Sequence, residues 1–346
     1  MATGSGLDAQ FGAKDETTVG TQVVVDRFFD FNSADLTLDP TYIEGVGLQA
    51  GRKFKSVNQV GIARRSATGK IEVPVMTQGF GWFWKHFIGS DGTAAVVSGG
   101  TTAYEQYHTP GDLLGKSFSC QVGKPEPDTG VVKPFTYRGC KVLDWDLTFE
   151  DNAKTLCTFT VDAWDEDTAA ALAAASYESG NLQWDFAQVT AFNIGGTAST
   201  SSGVTTLAGS SPVSAVVTSL SFSGKNALSN ERFGLGNAGI KKEQLENDFT
   251  AITGSFKAEY NSANFVDEFS QGTSTALQIT CTGNVIESST NYLLDIIVPT
   301  VKITKAPVAV SGPDLVMVDG EFTVYDPDDG SNPPIQIHII STDTTP

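Results

Sequence analysis

Few residues in this sequence have the types and spacing that catalysis needs. Asp144 and Asp146 alternate along a predicted strand and so share one face, as the paired carboxylates of a glycoside hydrolase can. Solvent-facing acids on strands have the same spacing. His86, His108 and His338 show no metal-ligand spacing and no arrangement with a nucleophile. We therefore expect no catalytic residue, no metal and no enzymatic activity.

Two stretches resemble ligand-binding motifs, but the residues around them do not fit such sites. Residues 234–239 (GLGNAG) match the glycine spacing of a dinucleotide site, but no apolar strand precedes them and no strand–helix–strand unit surrounds them. We predict a loop there and no cofactor. Residues 326–330 resemble a calcium loop, yet Pro327 interrupts them and the later glutamate is missing, so an acidic turn is predicted.

The composition favours an acidic, mainly β protein. The chain of 346 residues has 22 Lys and Arg against 40 Asp and Glu, a net charge of −18. Proteins that bind nucleic acid by neutralising phosphates need the opposite balance, so that class is excluded. Frequent Thr, Ser, Val and Phe favour strands joined by turns.

The cysteines and the termini indicate the compartment. Cys120, Cys140, Cys157 and Cys281 have no metal or redox spacing, and we expect small apolar strand residues in a reducing compartment. Residues 1–12 lack the regions of a signal peptide, and no apolar stretch is long enough for a membrane span.

The chain divides into a flexible arm, expected over residues 1–20, and two units at residues 21–176 and 177–346. In each unit a long loop precedes a strand that opens with Thr-Gly, at residues 68–73 (TGKIEV) and 253–258 (TGSFKA). The preserved order favours a duplication.

Short helices are predicted after both Thr-Gly strands. The first covers residues 80–88 and ends at Gly89, and the second covers residues 264–269 and is closed by Gly272. Alanine-rich residues 165–175, with acids at the start, predict a further helix.

Several stretches, in this order along nearly the whole chain, carry a family resemblance. They are residues 6–16 (GLDAQFGAKDE), 223–228 (SGKNAL), 252–256 (ITGSF) followed by Tyr260 and Phe265, and 310–316 (VSGPDLV). The sequence resembles the tail tube proteins, or major tail proteins, of siphophages. The resemblance implies two tandem β-sandwich units, each with a short flanking helix, that close a β-barrel ring on oligomerisation.

The resemblance also implies the function. Rings stack head to tail into a hollow tube in the virion tail, with other tail proteins at its ends. Double-stranded DNA passes through an acidic lumen during ejection without tight binding. Assembly takes place in the host bacterial cytoplasm, with no membrane partner. A duplicated subunit favours a trimeric ring with pseudo-sixfold symmetry, with a hexamer as the alternative.

Two sets of charged residues are candidates for functional sites. Glu72 and Glu259 lie on the Thr-Gly strands between apolar neighbours, so alternation makes them candidates for lumen-facing acids. A basic loop is expected to dock on an acidic face of the next ring, so that reversing its last two residues to Glu should impair polymerisation. The loop residues are Arg52, Lys53, Lys55, Arg64 and Arg65.

A carbohydrate-binding β-sandwich, such as a phage or cell-surface adhesin, is the alternative function. Trp145, Trp164 and Trp184, with nearby acids, could form a sugar-binding platform. Consecutive aromatics at residues 82–84 cover more than one face of a helix, so we expect that segment to pack against a sheet or a neighbouring subunit.

Overall fold

The computed structural model describes residues 4–261, 265–310 and 312–346. Strands hold 49% of the residues and helices 7%. The prediction of a mainly β fold is therefore confirmed.

The first half of the chain contains strands β1 to β13 and helix α1. In chain order they are β1 (Gln10–Asp15), β2 (Arg27–Phe29), β3 (Ser33–Ala34), β4 (Thr37–Leu38), β5 (Thr41–Glu44), β6 (Val60–Arg64), β7 (Ala67–Pro74), α1 (Gly81–Ile88), β8 (Ala95–Val96), β9 (Tyr104–His108), β10 (Phe118–Pro125), β11 (Val132–Glu150), β12 (Leu156–Ala163) and β13 (Asp165–Asp167).

The second half contains strands β14 to β25 and helix α2. In chain order they are β14 (Val189–Ile194), β15 (Thr197–Ser201), β16 (Val204–Ala208), β17 (Ser211–Pro212), β18 (Val217–Lys225), β19 (Leu228–Ser229), β20 (Leu245–Glu246), β21 (Ala251–Glu259), α2 (Asp267–Gln271), β22 (Ser274–Glu287), β23 (Thr290–Lys305), β24 (Met317–Val324) and β25 (Gln336–Ser341). Short 3-10 helices lie at Gly6–Asp8, Val57–Gln59 and Phe186–Gln188.

A central sheet crosses both halves in the order β7–β12–β11–β18–β21–β24–β23. The halves meet where β11 pairs with β18, with Asp144 opposite Lys225 and Glu150 opposite Ser219. The long strands β11 and β23 leave the central sheet at their amino-terminal parts. There β11 pairs with β10 and β13, and β23 pairs with β22 and β25.

Helix α1 packs its aromatic residues on the buried face of the central sheet. Phe87 stacks on Trp145 with the ring centroids 5.7 Å apart, and Phe83 lies 5.4 Å from Phe159. The helix ends at Gly89, whose φ of 70° is the left-handed conformation that favours glycine. The predicted short buried helix with a glycine stop is therefore confirmed.

The strand pairings of the first half recur in the second. The pairs β1–β10, β10–β11, β11–β12, β12–β7 and β11–β13 correspond to β14–β22, β22–β23, β23–β24, β24–β21 and β23–β25. Helix α2 follows β21 as α1 follows β7, and it ends at Gly272, as predicted. Its predicted start at residue 264 lies outside the described residues. Unlike α1, α2 buries none of its own residues.

The Thr-Gly strands pair with their closing strands in different registers. Gly69 lies opposite Val161, whereas Gly254 lies opposite Phe322. In the first half it is Ile71, two residues further on, that faces the phenylalanine of the closing strand, Phe159. A shift of two residues keeps every side chain on its own face of the sheet, so both halves retain one buried face.

The prediction of a flexible arm over residues 1–20 is wrong for its second part. Residues 1–3 lie outside the described part of the chain. Strand β1 pairs with β10, with Phe11 opposite Val122 and Ala13 opposite Cys120. Phe11 and Ala13 are fully buried. This short apolar alternation belongs to the core of the first half, which therefore begins before residue 21.

The predicted helix over residues 165–175 is also wrong. Residues 165–167 form strand β13, and the alanine-rich segment after it is not helical. The buried amide of Gln121 holds this backbone in place. Its Nε2 donates to the Ala171 carbonyl at 3.0 Å, and its Oε1 accepts from the Ala173 N–H at 2.9 Å. These tertiary hydrogen bonds outweigh the helix propensity of alanine, which is weak on its own.

Candidate functional site

The central sheet has one continuous polar face. Residues directly opposite each other in antiparallel strands point to the same side, so the pairings define rows across the sheet. One row runs Glu72, Thr158, Asp146, Ser223, Thr253. It continues through Thr323 to Lys302. We call this surface the polar face.

The opposite face of the same strands is buried. Ile71, Phe159 and Trp145 alternate with the polar residues on β7, β12 and β11, and each is 1% exposed or less. Phe222 and Phe322 do the same on β18 and β24 and make an edge contact at 5.5 Å. The period of two therefore builds a sheet with its core on one side and water on the other.

Acids outnumber lysines on the polar face, and hydroxyl side chains separate them. The acids are Glu72, Asp144, Asp146, Glu150, Glu259, Asp319 and Glu321, and the lysines are Lys70, Lys225, Lys257, Lys302 and Lys305. Some charges are already partnered. Lys305 bonds Glu321 at 2.5 Å, and the Thr160 hydroxyl donates to Asp144 at 2.6 Å. The face is therefore weakly acidic and rich in neutral hydrogen-bonding groups.

Both predicted lumen acids lie on the polar face. Glu72 sits in the middle of β7 and accepts a hydrogen bond from Asn32 Nδ2 at 2.8 Å. Glu259 ends β21, opposite Met317, at the edge of the face. Asp144 and Asp146, weighed as a hydrolase pair, lie on the same strand face between them.

The predicted basic loop is the tip of a projecting β-hairpin. Strands β5 and β6 form their own two-stranded sheet, and residues 45–59 connect them. Arg52 and Lys53 lie in this loop and are exposed, and Lys55 forms an ion pair with Glu44. The tip is also apolar, with large exposed side chains. These are Val46, Leu48, Phe54 and Val57.

Arg64 and Arg65 lie apart from that tip, at the base of the hairpin. The Arg64 guanidinium lies 4.6 Å from the centroid of the Phe233 ring and 3.5 Å from the Glu231 carboxylate. Arg65 Nε lies 3.0 Å from Asp165 Oδ1. Reversing these two charges would therefore disturb the chain's own packing as well as any docking surface.

A buried polar cluster fastens the second half of the chain to the first. Residues 226–250, between β18 and β21, reach Asp162 near the end of β12 and Lys141 in the middle of β11. Lys241 Nζ bonds the Asp162 carboxylate at 2.6 Å, and both side chains are almost fully buried. Gln244 Nε2 donates to the same carboxylate at 2.7 Å. Lys141 Nζ bonds Glu243 at 2.7 Å.

Burial governs the charges of this cluster. It raises the pKa of the Asp162 carboxyl, although the Lys241 ammonium and the Gln244 amide oppose the shift. Burial likewise lowers the pKa of Lys141, which Glu243 opposes. Sequence reasoning missed these residues, because a lysine in a polar stretch gives no signal that it is buried.

The carbohydrate platform is not formed. Trp145 and Trp184 are 1% and 2% exposed, so neither can stack on a sugar. The ring of Trp164 covers Gly20 and Gly139.

The histidine, cysteine and glycine-rich candidates from the sequence lie in structural positions. His86 is buried, with Nε2 2.9 Å from Asp15, and burial lowers its pKa. All four cysteines are buried strand residues, as predicted. Residues 234–239 form a loop, as predicted. Within the described ranges no cluster of His, Cys, Asp and Glu could hold a metal, and no helix is long and apolar enough to cross a membrane.

The fold is that of a mainly β protein. The family model of phage tail tube proteins matches residues 6–324. The chain therefore belongs to the phage tail tube protein family, a structural component of the virion tail that assembles into a tube. This confirms the resemblance found in the sequence. A search of curated proteins gave no match.

Proposed function

We propose that copies of this chain close into rings whose polar faces line the channel of the tail tube, through which double-stranded DNA passes. The observation that carries the proposal is the central sheet, which crosses both halves of the chain with one buried and one polar face. A sheet of this kind closes into a barrel when copies join at its edges, and closure removes the exposed edges.

The chemistry of the polar face suits a passage for DNA. Phosphates are attracted by an excess of lysine and arginine, and here acids are in excess. Glu72, Asp144 and Asp146 repel the phosphates weakly, while the hydroxyls of residues such as Ser223 and Thr253 keep the wall hydrated. DNA then slides without tight binding. Glu72 and Glu259 keep their proposed role as lumen acids.

The recurring strand pairings support two tandem tail-tube units. The first covers residues 21–176 together with β1, and the second covers residues 177–346. The pairing of β11 with β18 joins these units inside one chain. The short strands β3 and β4, and the last residues of β23 beyond its pairing with β22, remain as edges of the central sheet. Edge pairing between copies would close a ring of three chains with pseudo-sixfold symmetry. A hexamer is the alternative.

Rings then stack head to tail, with other tail proteins at the tube ends and assembly in the host cytoplasm. The projecting hairpin, with Arg52 and Lys53 at its tip, is our proposed contact with the next ring. Lys55, Arg64 and Arg65 have partners within the chain, so they contribute to this contact through the hairpin's shape.

Native mass spectrometry combined with negative-stain microscopy tests the proposal. We expect particles of three times 36.6 kDa, or multiples of that mass, and hollow rings or tubes in the images. Monomers at every concentration, with no rings in the images, would refute the ring. Six copies in each ring would keep the tube and replace the trimer by the hexamer.

A further inference from the structure

Four lysines of the polar face are exposed and form no ion pair with any described residue. They lie on β7, β18, β21 and β23 and are Lys70, Lys225, Lys257 and Lys302. Lys305, on the same face, bonds Glu321 at 2.5 Å instead. The weakly acidic face therefore carries isolated positive charges that the chain itself does not neutralise by direct contact.

Acids beside two of these lysines are bonded to neutral donors. Asp144 lies directly opposite Lys225, and its carboxylate accepts from the Thr160 hydroxyl at 2.6 Å. The Asp35 carboxylate accepts from the backbone N–H of Lys70. Hydrogen bonds within the chain thus occupy both carboxylates, and the two ammonium groups remain free to meet an anionic ligand.

The cations of the polar face are all lysines. The arginines of the chain lie outside the strand segments that form this face, and they are Arg27, Arg52, Arg64, Arg65, Arg138 and Arg232. An arginine guanidinium can hold a phosphate through two parallel hydrogen bonds, whereas a lysine ammonium on its flexible stem is a point charge. A wall that uses lysine alone therefore binds a phosphate weakly at each point and releases it easily.

The four lysines are spread across the central sheet. Lys70 and Lys225 lie in one row across β7, β12, β11 and β18, three strand spacings or about 14 Å apart. Lys257 lies toward the other end of the strands, opposite Ser219, and Lys302 lies on β23 at the far side of the sheet. Clustered lysines would form one tight anion site, whereas separated lysines offer several weak contacts.

We propose that these four lysines make transient contacts with the phosphates of the DNA in the channel. The inference rests on the proposed function and names the groups of the polar face that touch the DNA. The excess of acids keeps the wall repulsive on average, while each ammonium attracts one phosphate at a time. As the DNA advances, the next phosphate replaces the first, so the duplex is guided along the wall without being held.

Retention of a short DNA duplex by assembled tubes tests the inference. A fluorescent duplex is mixed with tubes, a nuclease removes the DNA outside the channel, and the fluorescence that pellets with the tubes is measured. Phosphate contacts weaken steeply with salt, so we expect weak retention at about 50 mM salt and the loss of most of it at about 200 mM. Wild-type tubes that retain no duplex at the lower salt concentration would overturn the inference, although the tube would stand.

Glutamine substitution removes two of the contacts. Lys70→Gln combined with Lys225→Gln should lower the affinity of the tubes for the duplex about tenfold or more at about 50 mM salt and make its salt dependence shallower. Lys14→Gln combined with Lys133→Gln is the matched control, because it removes the same charge from partly exposed lysines outside the central sheet. The control should retain the duplex like the wild type. Equal affinities in the two double variants would overturn the inference.

Arginine substitution tests the contacts at constant charge. Lys70→Arg combined with Lys225→Arg allows two hydrogen bonds to each phosphate, so the duplex should leave the tubes several-fold more slowly after dilution. Lys14→Arg combined with Lys133→Arg should leave the release rate unchanged. A wild-type release rate in the first variant would overturn the contacts assigned to Lys70 and Lys225. Wild-type protein that forms no rings would instead overturn the proposed function, and this inference with it.

Discussion

Replacing Lys241 with methionine tests how the two halves of the chain are fastened. Lys241 Nζ lies 2.6 Å from the Asp162 carboxylate, and both side chains are almost fully buried. Methionine keeps most of the volume and removes the charge. Removing one partner of a buried ion pair costs about 3–5 kcal/mol, because the other charge stays buried. Gln244 still donates to Asp162, so we expect a loss of about 3 kcal/mol in the free energy of unfolding.

The pH dependence of that loss identifies its cause. Burial raises the pKa of Asp162 in the folded protein, and losing Lys241 raises it further. A folded carboxyl with a raised pKa binds more protons than the unfolded one, so its contribution to stability decreases as the pH rises through that pKa. The loss in Lys241→Met should therefore be smaller at about pH 5.5 than at about pH 8.

Urea denaturation of the variant at both pH values provides the assay. Lys242→Met is the matched control, since Lys242 is the exposed neighbour, and it should change stability by less than about 0.5 kcal/mol. The double variant Lys241→Met with Asp162→Asn should recover most of the loss. A loss in Lys241→Met no larger than in the control, or one independent of pH, would refute the reasoning.

Three further predictions concern the core and its polar contacts. The Trp84 ring lies 5.4 Å from the Trp145 ring beneath the central sheet. Trp84→Ala should therefore lower the free energy of unfolding, measured by urea denaturation, by about 3–5 kcal/mol. A decrease of less than about 1 kcal/mol would contradict this packing. Burial lowers the pKa of His108 to about 4, so the unfolded chain binds its proton first as the pH falls from 6.5. As the pH falls from 6.5 to about 4, the unfolding temperature of His108→Gln should therefore decrease less than that of the wild type. Equal decreases in the two proteins would contradict this reasoning. Gln121→Leu should cost about 1–3 kcal/mol and speed protease cleavage within residues 168–176, and unchanged cleavage would show that other contacts hold that segment.

The sequence predicts the elements whose signals are local. A dense aromatic run with a glycine after it indicates α1, because only burial accommodates Trp82, Phe83 and Trp84 together. The period-two alternation of β7 and β21 places Glu72 and Glu259 on the polar side of their strands. In these segments one pattern determines both the secondary structure and the exposed face.

The sequence does not predict features that depend on distant partners. Residues 168–176 have the composition of a helix, and only the buried amide of Gln121 shows that their backbone is bonded elsewhere. The ion pair of Lys241 with Asp162 joins residues that are far apart in the chain. The basic residues of this segment predict a docking loop, yet its hairpin structure and the exposure of Phe54 follow only from the folded chain.

A cryo-electron microscopy reconstruction of tubes assembled from the purified protein tests the central claim most directly. We predict that the polar face lines the channel, with Glu72, Asp146 and Ser223 in one row on its wall and α1 behind them. A reconstruction that places this row on the outer surface of the tube, or buries it between subunits, would contradict the account.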